Sequence, residues 1–190
     1  MIQPDYRVLL DEEIWAYMDR SDSFYPLGAV SLTIDQQRAV YNRMCAAFHQ
    51  PHPDGVRTWD VAFGGVPCRV YEADISDITV VYYHGGGFVV GGLDSHDDVC
   101  AEICAATGYR VISVDYALAP DAVFPVCFND AWAAFQAIAA AYDGRVVLAG
   151  DSAGGNLAAA VAHTPRASAP RQGVDDRAGL SSASHRGRVF

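Results

Sequence analysis

No lysine occurs in the sequence: all 13 basic residues are arginine, set against 23 acids, for a formal charge of −10. Without a lysine, a Walker-type phosphate loop cannot be completed. The acidic balance also weighs against nucleic acid or an anionic membrane as partner. Long apolar runs are scarce too. None approaches the ~18 residues of a membrane span, and the first ten residues carry Asp5 where a signal peptide needs an uninterrupted apolar stretch. The expectation is a cytoplasmic protein with no membrane span. The five cysteines, Cys45, Cys68, Cys100, Cys104 and Cys127, include no CxxC pair. A zinc site needs more ligands than these, so Cys100 and Cys104 read as thiols packed like small hydrophobes.

What is present is a globular composition, 51% apolar over 190 residues, enough for a substantial core. Residues 1–55 read as helical. Val8, Leu9, Ile14, Trp15 and Met18 recur at helical spacing until Asp22 to Pro26 breaks the pattern. A second helix starts at Thr33 with Gln36 as its capping-box partner and an apolar face of Ile34, Val40, Tyr41, Met44 and Phe48. From residue 56 to 162 the pattern changes. Strands are expected over 57–63 and 66–71, joined by Gly64-Gly65 as a hairpin turn. The nearly continuous apolar run 78–83 suits a strand buried on both faces. Helices near 95–107, 126–142 and 154–162 then alternate with strands near 110–115 and 146–149. That order predicts an α/β fold, a mostly parallel sheet flanked by helices.

Residues 163–190 form an irregular basic tail with five arginines, two acids and no repeating apolar pattern. Two readings compete: a flexible tail, or a sequence translated out of its natural frame. The lack of any core pattern over such a length favours the second.

Three motifs carry chemistry. Gly150-Asp151-Ser152-Ala153-Gly154 is a GxSxG placed between a strand and a helix. Small flanking residues there permit a sharp turn that lifts the Ser152 hydroxyl above the strand ends. His84-Gly85-Gly86-Gly87-Phe88 follows the strand that ends at Tyr83. Its glycines leave backbone N–H groups unshielded, able to face a developing oxyanion. The third motif is Asp115-Tyr116-Ala117-Leu118-Ala119-Pro120-Asp121, with Phe124-Pro125 and Asp130 downstream.

Taken in order, HGGGF, DYxLAP and GDSAGGN closely resemble the hormone-sensitive-lipase family of α/β-hydrolases, which includes many bacterial esterases and acetyl hydrolases. The resemblance covers residues from about 57 to 162, and the N-terminal helical segment resembles that family's cap. It implies an ester hydrolase acting on a small-molecule ester through an acyl-enzyme, with no cofactor and no metal. Ser152 matches the nucleophile; Gly86, Gly87 and the N–H of Ala153 match the oxyanion hole. His84, Gly85, Gly150, Asp151, Gly154 and Asn156 match scaffold positions of the two motifs, with His84 holding the glycine loop rather than acting as base. Ala117 and Asp121 depart from the arginine and glutamate usual in the family.

The larger departure is that no DPL-type segment follows Ser152, so the triad acid and histidine, and the later strands, are expected to be missing from a truncated chain. Asp175 or Asp176 with His185 reproduces the order Ser–Asp–His, but none of these sits on an element with an apolar face to hold it. His163 lies at the far end of the helix that Ser152 begins, and His49 and His52 are expected to face solvent. Two functions remain open: a serine esterase impaired by the missing groups, or a hydrolase scaffold that only holds a ligand. The strand 146–149, left without an outer neighbour, is expected to offer an apolar edge for self-association.

Overall fold

The computed structural model describes residues 9–164, which divide into two compact units at His49/Gln50. Val8 and the basic tail beyond Thr164 lie outside the described residues.

In the first unit, Asp11 caps helix α1 (Glu12–Asp22) by accepting from the Ile14 N–H at 2.9 Å, and Glu12 and Glu13 complement the dipole of its first turn. Helix α2 (Ile34–Phe48) opens with the capping box predicted from Thr33 and Gln36: each side chain serves the other's backbone N–H, at 3.3 and 2.9 Å. Phe48 gathers this unit together. Tyr17 and Phe24 pack on its ring, and the Arg20 guanidinium lies 4.4 Å from its centroid while donating to the Ala47 carbonyl. Of the predicted α2 face, Val40 is buried, and Ile34, Tyr41, Met44 and Phe48 are half-buried.

The second unit is a five-stranded sheet in the order β1-β2-β4-β3-β5. Strands β1 (Arg57–Phe63) and β2 (Val66–Glu72) form the expected hairpin, with positive φ at both Gly64 and Gly65, the signature of a type I′ turn. β2 pairs antiparallel with β4 (Arg110–Val114); β4, β3 (Ile78–Tyr83) and β5 (Arg145–Gly150) are parallel. The architecture is therefore the expected α/β one, a sheet whose β3, β4 and β5 run parallel, with flanking helices.

Every residue of β3 is buried because helices cover both faces. Val81 and Tyr83 point to a core shared with helix α4 (Val126–Ala141), through Ala134, Phe135 and Ile138, and helix α5 (Ala153–His163), through Leu157 and Val161. Val80 and Tyr82 point to the opposite core with helix α3 (Asp97–Thr107), where Cys100 and Cys104 are fully buried free thiols, as expected. Burial pushes the Cys100 thiol up to about 12, so it packs as a neutral group. Among the described residues β5 pairs on one side only, with Val147 to Gly150 half-buried. Also among them, no helix is long and apolar enough to cross a membrane.

Candidate active site

The register that sets Tyr83 opposite Gly150 aligns the ends of two neighbouring parallel strands. The segments leaving them, His84–Phe88 and Asp151–Gly154, must therefore emerge side by side at the carboxyl end of the sheet, where open α/β sheets place their ligands.

Ser152 sits at the turn from β5 into α5 with φ 50° and ψ −115°, a conformation rarely adopted by non-glycine residues, and its side chain is exposed. The turn is closed beneath it by the N–H groups of Gly154 and Gly155 donating to the Asp151 carbonyl at 2.8 and 3.2 Å. Ala153 is the first residue of α5, so its N–H has no intrahelical acceptor. Across the gap the glycine loop curls back, with the Val89 and Val90 N–H groups both donating to the Gly86 carbonyl at 3.0 Å. The N–H groups of Gly86, Gly87 and Ala153 have no acceptor among the described residues.

His84 faces inward. It is fully buried, and its ring stacks on Tyr116 with centroids 4.4 Å apart. Its Nδ1 lies 2.7 Å from the Gly85 carbonyl, and the Tyr116 hydroxyl donates to the His84 carbonyl at 2.6 Å. Burial, aided by neighbouring His96, pushes the His84 imidazole down to about 4, so it is neutral at ordinary pH. The ring is thus a neutral group packed in the core, turned away from solvent.

Asp151 joins the two motifs. Its Oδ1 accepts from the Gly85 N–H at 2.8 Å and the Tyr82 hydroxyl at 3.0 Å, and His96 Nε2 lies 3.3 Å from the same oxygen. The third motif grips the loop from its other side. Ala119 N–H donates to the Phe88 carbonyl at 2.8 Å, and Asp130 in turn accepts from Ala117 N–H at 3.0 Å. Asp115 is half-buried, and burial, with nearby Asp94 adding to it, raises its carboxyl above the usual range.

One expectation about a histidine needs revision, and one histidine was not anticipated. His52 does not face solvent: it is half-buried, with Nε2 2.5 Å from Asp97, which also accepts from Arg69 and the Tyr71 hydroxyl. His96 carries no local signal in the sequence. It lies in a polar turn, and only the pairing of β3 with β5 brings Asp151 to it. Asp175, Asp176 and His185 fall outside the described residues, and His163 is exposed at the end of α5. No described histidine donates to or accepts from the Ser152 hydroxyl.

Beside the glycine loop and α5 lies a cavity of about 430 Å³, lined chiefly by apolar groups, among them Phe88, Phe124, Phe128 and Leu157, with Gly87 and Asn156 at its site-facing side.

Comparison with known proteins gives a consistent picture. The pattern that defines the alpha/beta hydrolase fold family matches residues 80–176. The esterase LipI of Mycobacterium tuberculosis is 40% identical over 152 residues, 71% of this chain and 47% of LipI. The carboxylic ester hydrolase LipN of the same organism is 37% identical over 158 residues, 76% of this chain and 42% of LipN. The chain thus spans less than half the length of these relatives. Among solved structures, an esterase from the bacterial hormone-sensitive lipase family superposes with a TM-score of 0.71 at 32% identity, covering 80% of this chain and 51% of that one. An esterase from Pyrobaculum calidifontis gives 0.64 at 36% identity, covering 70% and 47%.

Proposed function

Because the chain belongs to the alpha/beta hydrolase fold family, in its hormone-sensitive-lipase branch, we propose that it carries the nucleophile and oxyanion hole of a serine carboxylic ester hydrolase for short-acyl, acetyl-type esters. The observation that supports the reading is that Ser152 is exposed at the turn from β5 into α5, while the N–H groups of Gly86, Gly87 and Ala153 in the adjoining segments have no acceptor among the described residues. Ser152 Oγ attacks the ester carbonyl carbon, the carbonyl oxygen takes up the negative charge, and the three N–H groups receive it. Each such donor contributes about 3 kcal/mol to the transition state. The alcohol then departs with a proton, leaving an acyl-enzyme for water to hydrolyse. The esterase names of the relatives support the ester class, and the apolar cavity supports an acyl chain as the group bound.

Among the described residues the proton relay is not assembled. His84 is locked in the core and His96 faces Asp151. No described group therefore takes the proton from Ser152, and catalysis by a full triad, on the order of 10⁶ in kcat, is not expected. A Ser152-dependent but slow acylation is. The check is p-nitrophenyl butyrate hydrolysis and fluorophosphonate labelling read by intact mass, with Ser152→Ala alongside. A single adduct lost in Ser152→Ala supports the esterase reading. Identical behaviour of the two proteins favours the second reading, a scaffold that holds a ligand in the 430 Å³ cavity without chemistry.

Among the described residues the outer side of β5 is unpaired, which makes self-association the expected behaviour. A single monomeric boundary in sedimentation velocity at raised concentration overturns that expectation.

A further inference from the structure

We infer that His96 is a positioning residue for the glycine loop: it holds the carboxylate of Asp151, and Asp151 in turn fixes the Gly85 N–H and with it the donors that face Ser152. The oxyanion part of this inference rests on the esterase reading above. The clamp itself rests on geometry alone.

His96 is buried on the short turn Asp94–His96 that precedes α3. Its two ring nitrogens have different neighbours. Nε2 stands 3.3 Å from Asp151 Oδ1. Nδ1 stands 2.9 Å from Ser95 Oγ, and that hydroxyl already serves the Gly92 carbonyl as donor, at 2.9 Å, and the Gly92 N–H as acceptor, at 3.0 Å. Ser95 Oγ thereby ties one side of the ring to the Gly92 turn, and the Nε2–Asp151 contact ties the other side to the residue before Ser152. The other titratable groups facing His96 are Tyr82 and His84 of β3 and the residue after it, with ring centroids 6.1 and 5.7 Å away. His84 is neutral, so Asp151 is the charged partner.

Asp151 converts this contact into position. The same Oδ1 takes the Gly85 N–H and the Tyr82 hydroxyl, and the carboxylate lies where a Cβ on Gly85 would stand, so loop and elbow are in close contact. Asp151 is also the residue immediately before Ser152. A shift of its carboxylate therefore moves the donors relative to the nucleophile, and small misplacements of that kind cost up to about 100-fold in rate.

The deciding experiment is an NMR pH titration of the full chain, following the Gly85 amide and the His96 ring nitrogens. The expected result is that the Gly85 amide shifts along the same titration curve as the His96 ring, and that this titration vanishes in both His96→Gln and Asp151→Asn. A Gly85 amide that stays still while His96 titrates overturns the inference, whatever the activity. In parallel, His96→Phe is expected to slow Ser152 phosphonylation about 10- to 100-fold, with His96→Gln recovering part of the loss but none of its pH dependence. If no protein, wild type included, labels at Ser152, the esterase reading fails, and the Gly85 titration still decides the role of His96.

Discussion

Gly154→Ala is expected to lose at least about 3 kcal/mol of stability, beyond the usual penalty of one extra methyl in a packed core. Gly154 is buried in the first turn of α5, where the helix crosses the end of β3. A Cβ built there would stand on the carbonyl oxygen of Tyr83 and crowd that of His84. Neither can retreat. Tyr83 is fully buried, and its strand is held by β4 on one side and β5 on the other. Set against a total of about 5–15 kcal/mol for an ordinary domain, the loss shows in urea as a midpoint lowered by roughly 1–3 M at slopes of about 1–3 kcal/mol/M. Gly155→Ala is the control. Its Cβ meets only the Gly150 carbonyl, at 3.1 Å, and helix propensity favours alanine by about 1 kcal/mol, so its midpoint stays close to wild type. Equal midpoints for the two variants would refute the close approach of α5 to β3.

The second large effect is a loss of stability in acid traceable to His84. Its folded-state value is lowered from 6.5 to about 4 by burial. Below 6.5 the unfolded chain binds a proton that the folded protein refuses, so stability is present above that pH and drains away as pH falls toward 4. The ring is fully buried, so solvent screening offers little relief, and the loss reaches about 3 kcal/mol by pH 4. Carboxylates add their own slope over that range; His84→Gln separates the two. The variant starts lower because it forfeits the stack on Tyr116, yet between pH 7 and pH 4 it falls about 3 kcal/mol less than wild type. Parallel urea-derived stability curves for the two proteins would mean that His84 is not held neutral.

Much of this was legible in the sequence, and what was not has a common cause. The capping box at Thr33 and Gln36, the Gly64-Gly65 turn and the glycines around Ser152 are local devices, written in residues three or four apart, and each is where the sequence predicts it. β3 reads as a doubly buried strand because all its residues are apolar or small. β1 is harder. Trp59, Val61 and Phe63 alternate as a buried face would, yet Trp59 and Val61 are exposed because the strand lies at the sheet edge. Edge or centre is a property of strand order, which no local pattern encodes. His96 and Tyr82 escaped for the same reason. Their partner Asp151 lies dozens of residues away, and only the crossover that seats β3 between β4 and β5 closes the distance.

That crossover has a consequence for how the protein comes to possess a site at all. The hydrogen bond from Gly85 to Asp151 spans 66 residues of chain. The two strands that bring these residues together are separated in sequence by α3, β4 and α4, and in the sheet β4 must occupy β3's other flank. Loop-closure entropy has to be met before such a contact is rewarded. A folding intermediate holding the β1–β2 hairpin, β3 and β4 would contain both HGGGF and DYALAP yet still lack the Asp151–Ser152 turn beside them. The site thus reports on completed topology: Asp151, and Ser152 beside it, meets the glycine loop only once β5 has docked.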